Sequence, residues 1–242
     1  MTHTEEEIEA QALPAATLSQ RDWIVLSRGF SRIFWVFPLA ILLSFHIVRI
    51  HASPFIRLPG YVLAVLLLYW GVTALYRIPL PRPRWRTWLG RAMLLIFMML
   101  YFAPFVYWNQ RQPGTDHYLV NFFALVGCAI WFMALLNRFM EEIAIVLDDP
   151  VFIMESRLCR WSVLLFSATP FFTASGLAII LAVRHHTSVS FEALQMIQRP
   201  ISYWVQALAL LPYTLTALLC WKTKEKCIHA IEPSPPPPTH QT

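Results

Sequence analysis

The segment LPGYVLAVLLLYWGVTALY, Leu58 to Tyr76, carries no charged residue over nineteen positions. A helix rises about 1.5 Å per residue, so a run of about 20 apolar residues crosses the roughly 30 Å hydrocarbon layer of a bilayer. Lipid offers the backbone no hydrogen-bond partner, which restricts spanning structures to helices and closed barrels. Five further stretches are long and apolar enough to qualify, approximately Ile33–Ile50, Leu89–Trp108, Tyr118–Asn137, Trp161–Val183 and Ile201–Trp221, though Leu58–Tyr76 is the cleanest. The sequence therefore predicts an all-α, polytopic integral membrane bundle of six transmembrane helices. The first two stretches are joined by the short segment RIHASPFIR, and a re-entrant pair is the alternative to two full spans there.

Composition points the same way. Only 14% of residues are charged and 57% are hydrophobic, whereas a soluble domain carries about 25% charged residues to wet its surface. Many of the ten Trp residues stand near the ends of apolar stretches, where amphipathic rings favour the headgroup level.

Charge bias orients the bundle. With the N-terminus in the cytoplasm, the inner segments hold fourteen of the nineteen basic residues. Arg49, Arg57, Arg111, Arg184 and Arg199 remain outside. Over loops this short, such an asymmetry marks the cytoplasmic side and places both termini there. Glu5, Glu6, Glu7 and Glu9 stand where a cleavable signal would be basic, so no signal peptide is expected. In a bacterium the membrane would be the inner one, because outer-membrane proteins are normally barrels. Of the four cysteines, Cys128 falls in an apolar run, and Cys159, Cys220 and Cys227 fall on the cytoplasmic side. No structural disulfide is expected from them.

Outside the spans, residues 1–18 form an acidic tail without an apolar face, expected to be disordered. The bundle occupies 19–221, and 222–242 is a tail that is first basic and then Pro-rich, ending in EPSPPPPTHQT. Ser19 and Asp22 have capping-box spacing, and Trp23, Leu26, Phe30 and Ile33 share a helical face. This predicts an N-terminal interfacial helix, with simple continuity into the first span as the alternative. Asp149 reads as an N-cap with Pro150 at the first helical position. Helices four and five should thus form a cytoplasmic hairpin turning at Asp148–Pro150. Its apolar Ile143, Val146, Leu147, Phe152 and Ile153 would pack inside it or dock another subunit.

Three groups of residues are candidate sites. Arg82, Arg84, Trp85, Arg86 and Trp88, in a Pro-broken loop, suit anionic headgroups or an acidic partner, and otherwise serve as an ordinary topogenic loop. His46, His117, His185 and His186 all map to the outer side, and imidazoles there can hold a metal or haem. Ser167, Thr169, Pro170, Thr173, Pro212 and Thr214 lie in helices five and six, where proline kinks can line a pathway. Tight helix packing is the alternative for the small and hydroxylated residues among them.

The spans lack mid-membrane Asp, Glu, Lys or Arg, the groups that ion-coupled transport and voltage sensing require. Gly-rich phosphate loops and hydrolase motifs are missing as well. The expected function is a non-catalytic membrane subunit or scaffold, with other membrane subunits, a second copy or lipid as partners. A passive channel, or a transporter's membrane domain along helices five and six, is the alternative. A redox subunit with an outer metal or haem is the third. Otherwise no cofactor is expected, and nucleic acid is not a partner.

Overall fold

The computed structural model describes residues 18–49, 54–80, 82, 84–111, 116–173, 175–176 and 203–231. These residues are all-helical: six α-helices, with no strand among the described residues. The helices are α1 (Gln20–Arg49), α2 (Pro54–Tyr76), α3 (Trp85–Arg111), α4 (Asp116–Val146), α5 (Pro150–Val163) and α6 (Tyr203–His229). A π turn, Leu164–Ala168, extends α5.

Helices consecutive in the chain run antiparallel, and α4 and α6 run parallel. Gly29 of α1 approaches Leu75 of α2, and Ile33 approaches Gly71 four residues earlier. α3 packs on α2 and α4, α6 on α1 and α4, and α5 on both α4 and α6. The α1–α2 crossing is close because neither backbone carries a side chain there. A Cβ on Gly71 would stand 2.6 Å from Ile33 Cγ1 and 3.1 Å from the Gly29 carbonyl oxygen.

Among the described residues, two helical segments, Trp85–Phe105 and Val120–Val146, are long and apolar enough to cross a membrane, and Gly60–Tyr76 is apolar but shorter. Only 28% of the apolar window in each of the two is buried. A core helix of a water-soluble protein would be mostly buried, so these helices present apolar surface outward. Leu63, Leu66 and Trp70 of α2, Leu94, Phe97 and Tyr101 of α3, and Trp131 of α4 are all exposed.

Among the described residues, many of the fully buried large side chains lie at one end of the bundle, where α1, α3 and α5 begin and α2, α4 and α6 finish. Leu26, Phe30, Leu75, Ile78, Trp85, Phe139, Met140 and Phe152 are fully buried there. This is also where the basic residues concentrate, and it is called the charged end below.

Two expectations change. The segment from Ser19 is not a separate interfacial helix. It opens a continuous thirty-residue α1, and Trp23, Leu26, Phe30 and Ile33 are buried inside the bundle. The predicted cap is present, with the Ser19 hydroxyl accepting from the Asp22 N–H at 3.3 Å and the Asp22 carboxylate accepting from the Ser19 N–H at 3.1 Å. The bundle also does not finish at Trp221. α6 continues to His229, because Thr223 and Cys227 are buried and Lys222 and Lys226 find carboxylates on the hairpin.

Candidate functional site

The hairpin predicted at Asp148–Pro150 is formed, and its turn is closed by backbone geometry. Asp148 adopts φ 52°, in the left-handed region. The Asp149 N–H then reaches the Ala144 carbonyl at 3.1 Å and the Asp148 N–H the Ile145 carbonyl at 3.2 Å, the paired bonds of a Schellman C-terminus. The next helix starts at once. Asp149 Oδ1 accepts from the Phe152 N–H at 3.0 Å, with Pro150 in the first turn. Ile143, Val146 and Phe152 pack inside the hairpin.

Beside this turn lies a cluster of charges. Glu141 of α4 is 1% exposed. Its Oε1 accepts from Arg157 Nε at 2.7 Å, and its Oε2 accepts from Arg138 Nη1 at 2.9 Å and from Arg160 Nη1. Glu142 takes the other arm of Arg138 at 2.9 Å and meets Arg82 Nε at 3.5 Å. Four guanidinium groups from the α2–α3 connection, α4 and α5 therefore surround two buried carboxylates. Removing a charge from water is costly, and only dense charge-assisted bonding offsets it. The cluster locks α5 onto α4 in one register.

A second pair of contacts binds α6 to the hairpin. Lys226 Nζ donates to Asp149 Oδ2 at 2.6 Å, and Lys222 Nζ donates to Glu155. The Lys226 hydrogen bond and the Phe152 N–H together hold the Asp149 carboxyl below its ordinary range. Higher up, buried Asn137 of α4 donates to Thr216 Oγ1 of α6 at 3.1 Å, and Thr216 in turn donates to the Pro212 carbonyl at 2.8 Å.

The headgroup candidates separate into two sets. Arg84 and Arg86 are exposed. Trp85 is not a lipid contact: it is 1% exposed and stands edge-on to Phe139, ring centroids 5.5 Å apart. Arg82 turns inward to Glu142. Trp88 is half-buried, with the Arg91 guanidinium 4.7 Å over its ring.

The kink candidates explain a local distortion. Proline at 170 has no N–H and crowds the preceding turn, and the chain answers with the wider π turn just before it. The Thr169 and Thr173 hydroxyls are exposed and bond back to Leu164 and Thr169 carbonyls of their own helix. Thr214 does the same to Leu211, which is local self-satisfaction of the hydroxyl. Pro212 is buried, Ser167 is half-buried and Pro170 is exposed.

Of the histidines, His117 is exposed, 3.3 Å from Asn121 Nδ2 and edge-on to Phe105. His185 and His186 lie outside the described residues, and so does the side chain of His46. Among the described residues no three His, Cys, Asp or Glu side chains are grouped to hold a metal. All four cysteines are free. Burial, with Glu155 adding to it, pushes the Cys159 thiol up to about 11, and burial pushes Cys227 up to about 12. Neither offers a thiolate nucleophile at neutral pH.

No protein family, curated relative or solved structure matches this chain. The Glu141 cluster is the feature that sequence reasoning missed. Its signal was present as Arg138, Glu141 and Glu142 at helical i, i+3 and i+4 spacing, followed by Arg157 and Arg160 at i, i+3 across the turn.

Proposed function

We propose that the chain is a six-span membrane protein, with its charged end in the cytoplasm, that serves as a non-catalytic scaffold subunit. On this reading α5 presents a docking edge for a membrane-spanning helix of another subunit or of a second copy. One observation carries it. Val151, Met154, Leu158, Trp161 and Leu165 are all exposed and recur at intervals of three and four residues, the seam spacing of a helix that packs against another helix.

Lipid is a sufficient cover for Trp161 and Leu165 but not for the rest of the stripe. Val151 lies ten residues, about 15 Å, beyond Trp161 along the helix, past the headgroup level at which a Trp settles. An exposed apolar face continuing that far out of the bilayer calls for protein. The Glu141 cluster supports the reading, because it fixes α5 rigidly and a preorganised face loses less entropy on binding.

Two measurements test this. Single-cysteine labelling should give position 84 and the Asp148–Pro150 turn the same sidedness and Thr115 the opposite; labelling of position 115 from the cytoplasm overturns the orientation. Purification in mild detergent should yield a stoichiometric membrane partner or homo-oligomer that Leu158→Glu releases while the chain stays folded. A monodisperse monomer, or a complex indifferent to Leu158→Glu, sinks the scaffold reading.

A further inference from the structure

α3, α4 and α5 leave a groove beside the Glu141 cluster, a cavity of about 290 Å³ lined by Trp88, Trp131, Ala134, Leu135, Arg138, Arg160 and Leu164. Two chemistries meet in it. Along α4, Trp131, Ala134 and Leu135 are apolar, and Leu164 faces them from α5. One turn further toward the charged end stand Arg138 and Arg160.

The ion cluster beside this rim, to which Arg138 and Arg160 belong, carries net positive charge. Among the described residues the four guanidinium groups of Arg82, Arg138, Arg157 and Arg160 meet the two carboxylates of Glu141 and Glu142, which leaves an excess of two positive charges. Two N–H donors on groove-lining residues also lack an acceptor, Trp88 Nε1 and Arg138 Nε, although both atoms are buried. A buried donor without a partner is costly. A ligand that brings oxygens to the rim would relieve both conditions.

We infer that this groove binds one anionic phospholipid. An acyl chain lies against Trp131, Ala134 and Leu164. The phosphate and glycerol ester oxygens sit at the rim, facing the Arg138 and Arg160 guanidinium groups and the Trp88 indole N–H. The order of the two chemistries along α4, apolar and then basic, is that of a lipid whose headgroup lies at the cytoplasmic surface. Excess basic charge at that level selects anionic over zwitterionic headgroups.

This rests on the membrane reading above, and the experiment separates the two. The full chain is expressed in membranes, tested for resistance to carbonate extraction, and purified in mild detergent. Native mass spectrometry then follows titration with phosphatidylglycerol or with phosphatidylcholine. The expected result is one retained phosphatidylglycerol per chain, preferred about tenfold over phosphatidylcholine. Ala134→Trp, which fills the groove without touching an ion pair, should abolish that preference. Trp88→Phe, which keeps the ring and removes its N–H, should weaken it. Equal retention of both lipids, or full retention by both variants, overturns the lipid site while the membrane reading stands. Release of the chain by carbonate overturns the membrane reading itself.

Discussion

The charged end and the apolar midsection of this bundle are built from the same six helices and solve opposite problems. At the charged end, large side chains are fully buried, and Glu141 and Glu142 are each held by more than one cation. In the midsection, Leu66, Trp70, Leu94, Phe97 and Tyr101 turn outward with no protein cover. Water-facing protein hides apolar side chains because their exposure costs about 25 cal/mol per Å². That drive vanishes where the solvent is hydrocarbon, and what then joins helices is close packing and interhelical hydrogen bonding. The difference teaches where the fold's specificity resides. On the membrane reading proposed above, the midsection can be covered by any lipid, whereas the charged end admits one arrangement.

If that contrast is right, the largest effect belongs to Glu141→Gln. It leaves Arg138, Arg157 and Arg160 around an uncharged amide, and losing one member of a buried ion pair costs about 3–5 kcal/mol. Thermal unfolding in detergent should show a large fall in midpoint, and α5 should become the first segment open to proteolysis. Phe97→Leu, in the exposed midsection, should leave the midpoint nearly unchanged. Equal effects of the two changes would erase the distinction between the regions.

Gly71→Val probes a close fit between α1 and α2. The new side chain meets Ile33 and the Gly29 carbonyl, and overpacking of this kind costs about 1–3 kcal/mol. The same thermal assay reads it, and a neutral result would mean that α1 and α2 cross less closely than described.

A smaller effect is expected at Asp149, which caps α5 and anchors Lys226. Asp149→Ala should cost about 0.5–2 kcal/mol through the lost cap. The pH dependence has a defined sign. The Lys226 and Phe152 contacts depress the folded carboxyl, so its contribution is present above the ordinary Asp value near 3.8 and disappears as pH falls through the folded value. The wild-type chain should lose stability relative to Asp149→Ala only in that acid range. A difference that closes between pH 7 and 5 would reassign the effect to another group.

Much of this was legible in order along the chain. The Ser19–Asp22 cap, the turn at Asp148 and the Asp149–Pro150 helix start are local events, decided by side chains within four residues of the backbone groups they serve. The proline at 170 announced a distortion for the same reason, though not that it would take the form of a π turn. Trp85 shows the limit. Its place in an Arg-rich, Pro-broken loop read as a headgroup anchor, and only the arrival of Phe139 from α4 made it a core residue.

By itself, then, the sequence determined the helical class, the local caps at Ser19 and Asp149 and the apolar lengths between charges, because hydropathy and capping act over one helical turn or one bilayer thickness. The tertiary structure alone decided which charges meet. Arg82, Glu141 and Arg160 are separated by 59 and 19 positions, and nothing in local propensity ranks their pairing above any other. They converge because the tight turn at Asp148 folds α5 back along α4 while the close α1–α2 packing and α3 carry Arg82 to the same end. A buried carboxylate without those cations would be too costly to keep.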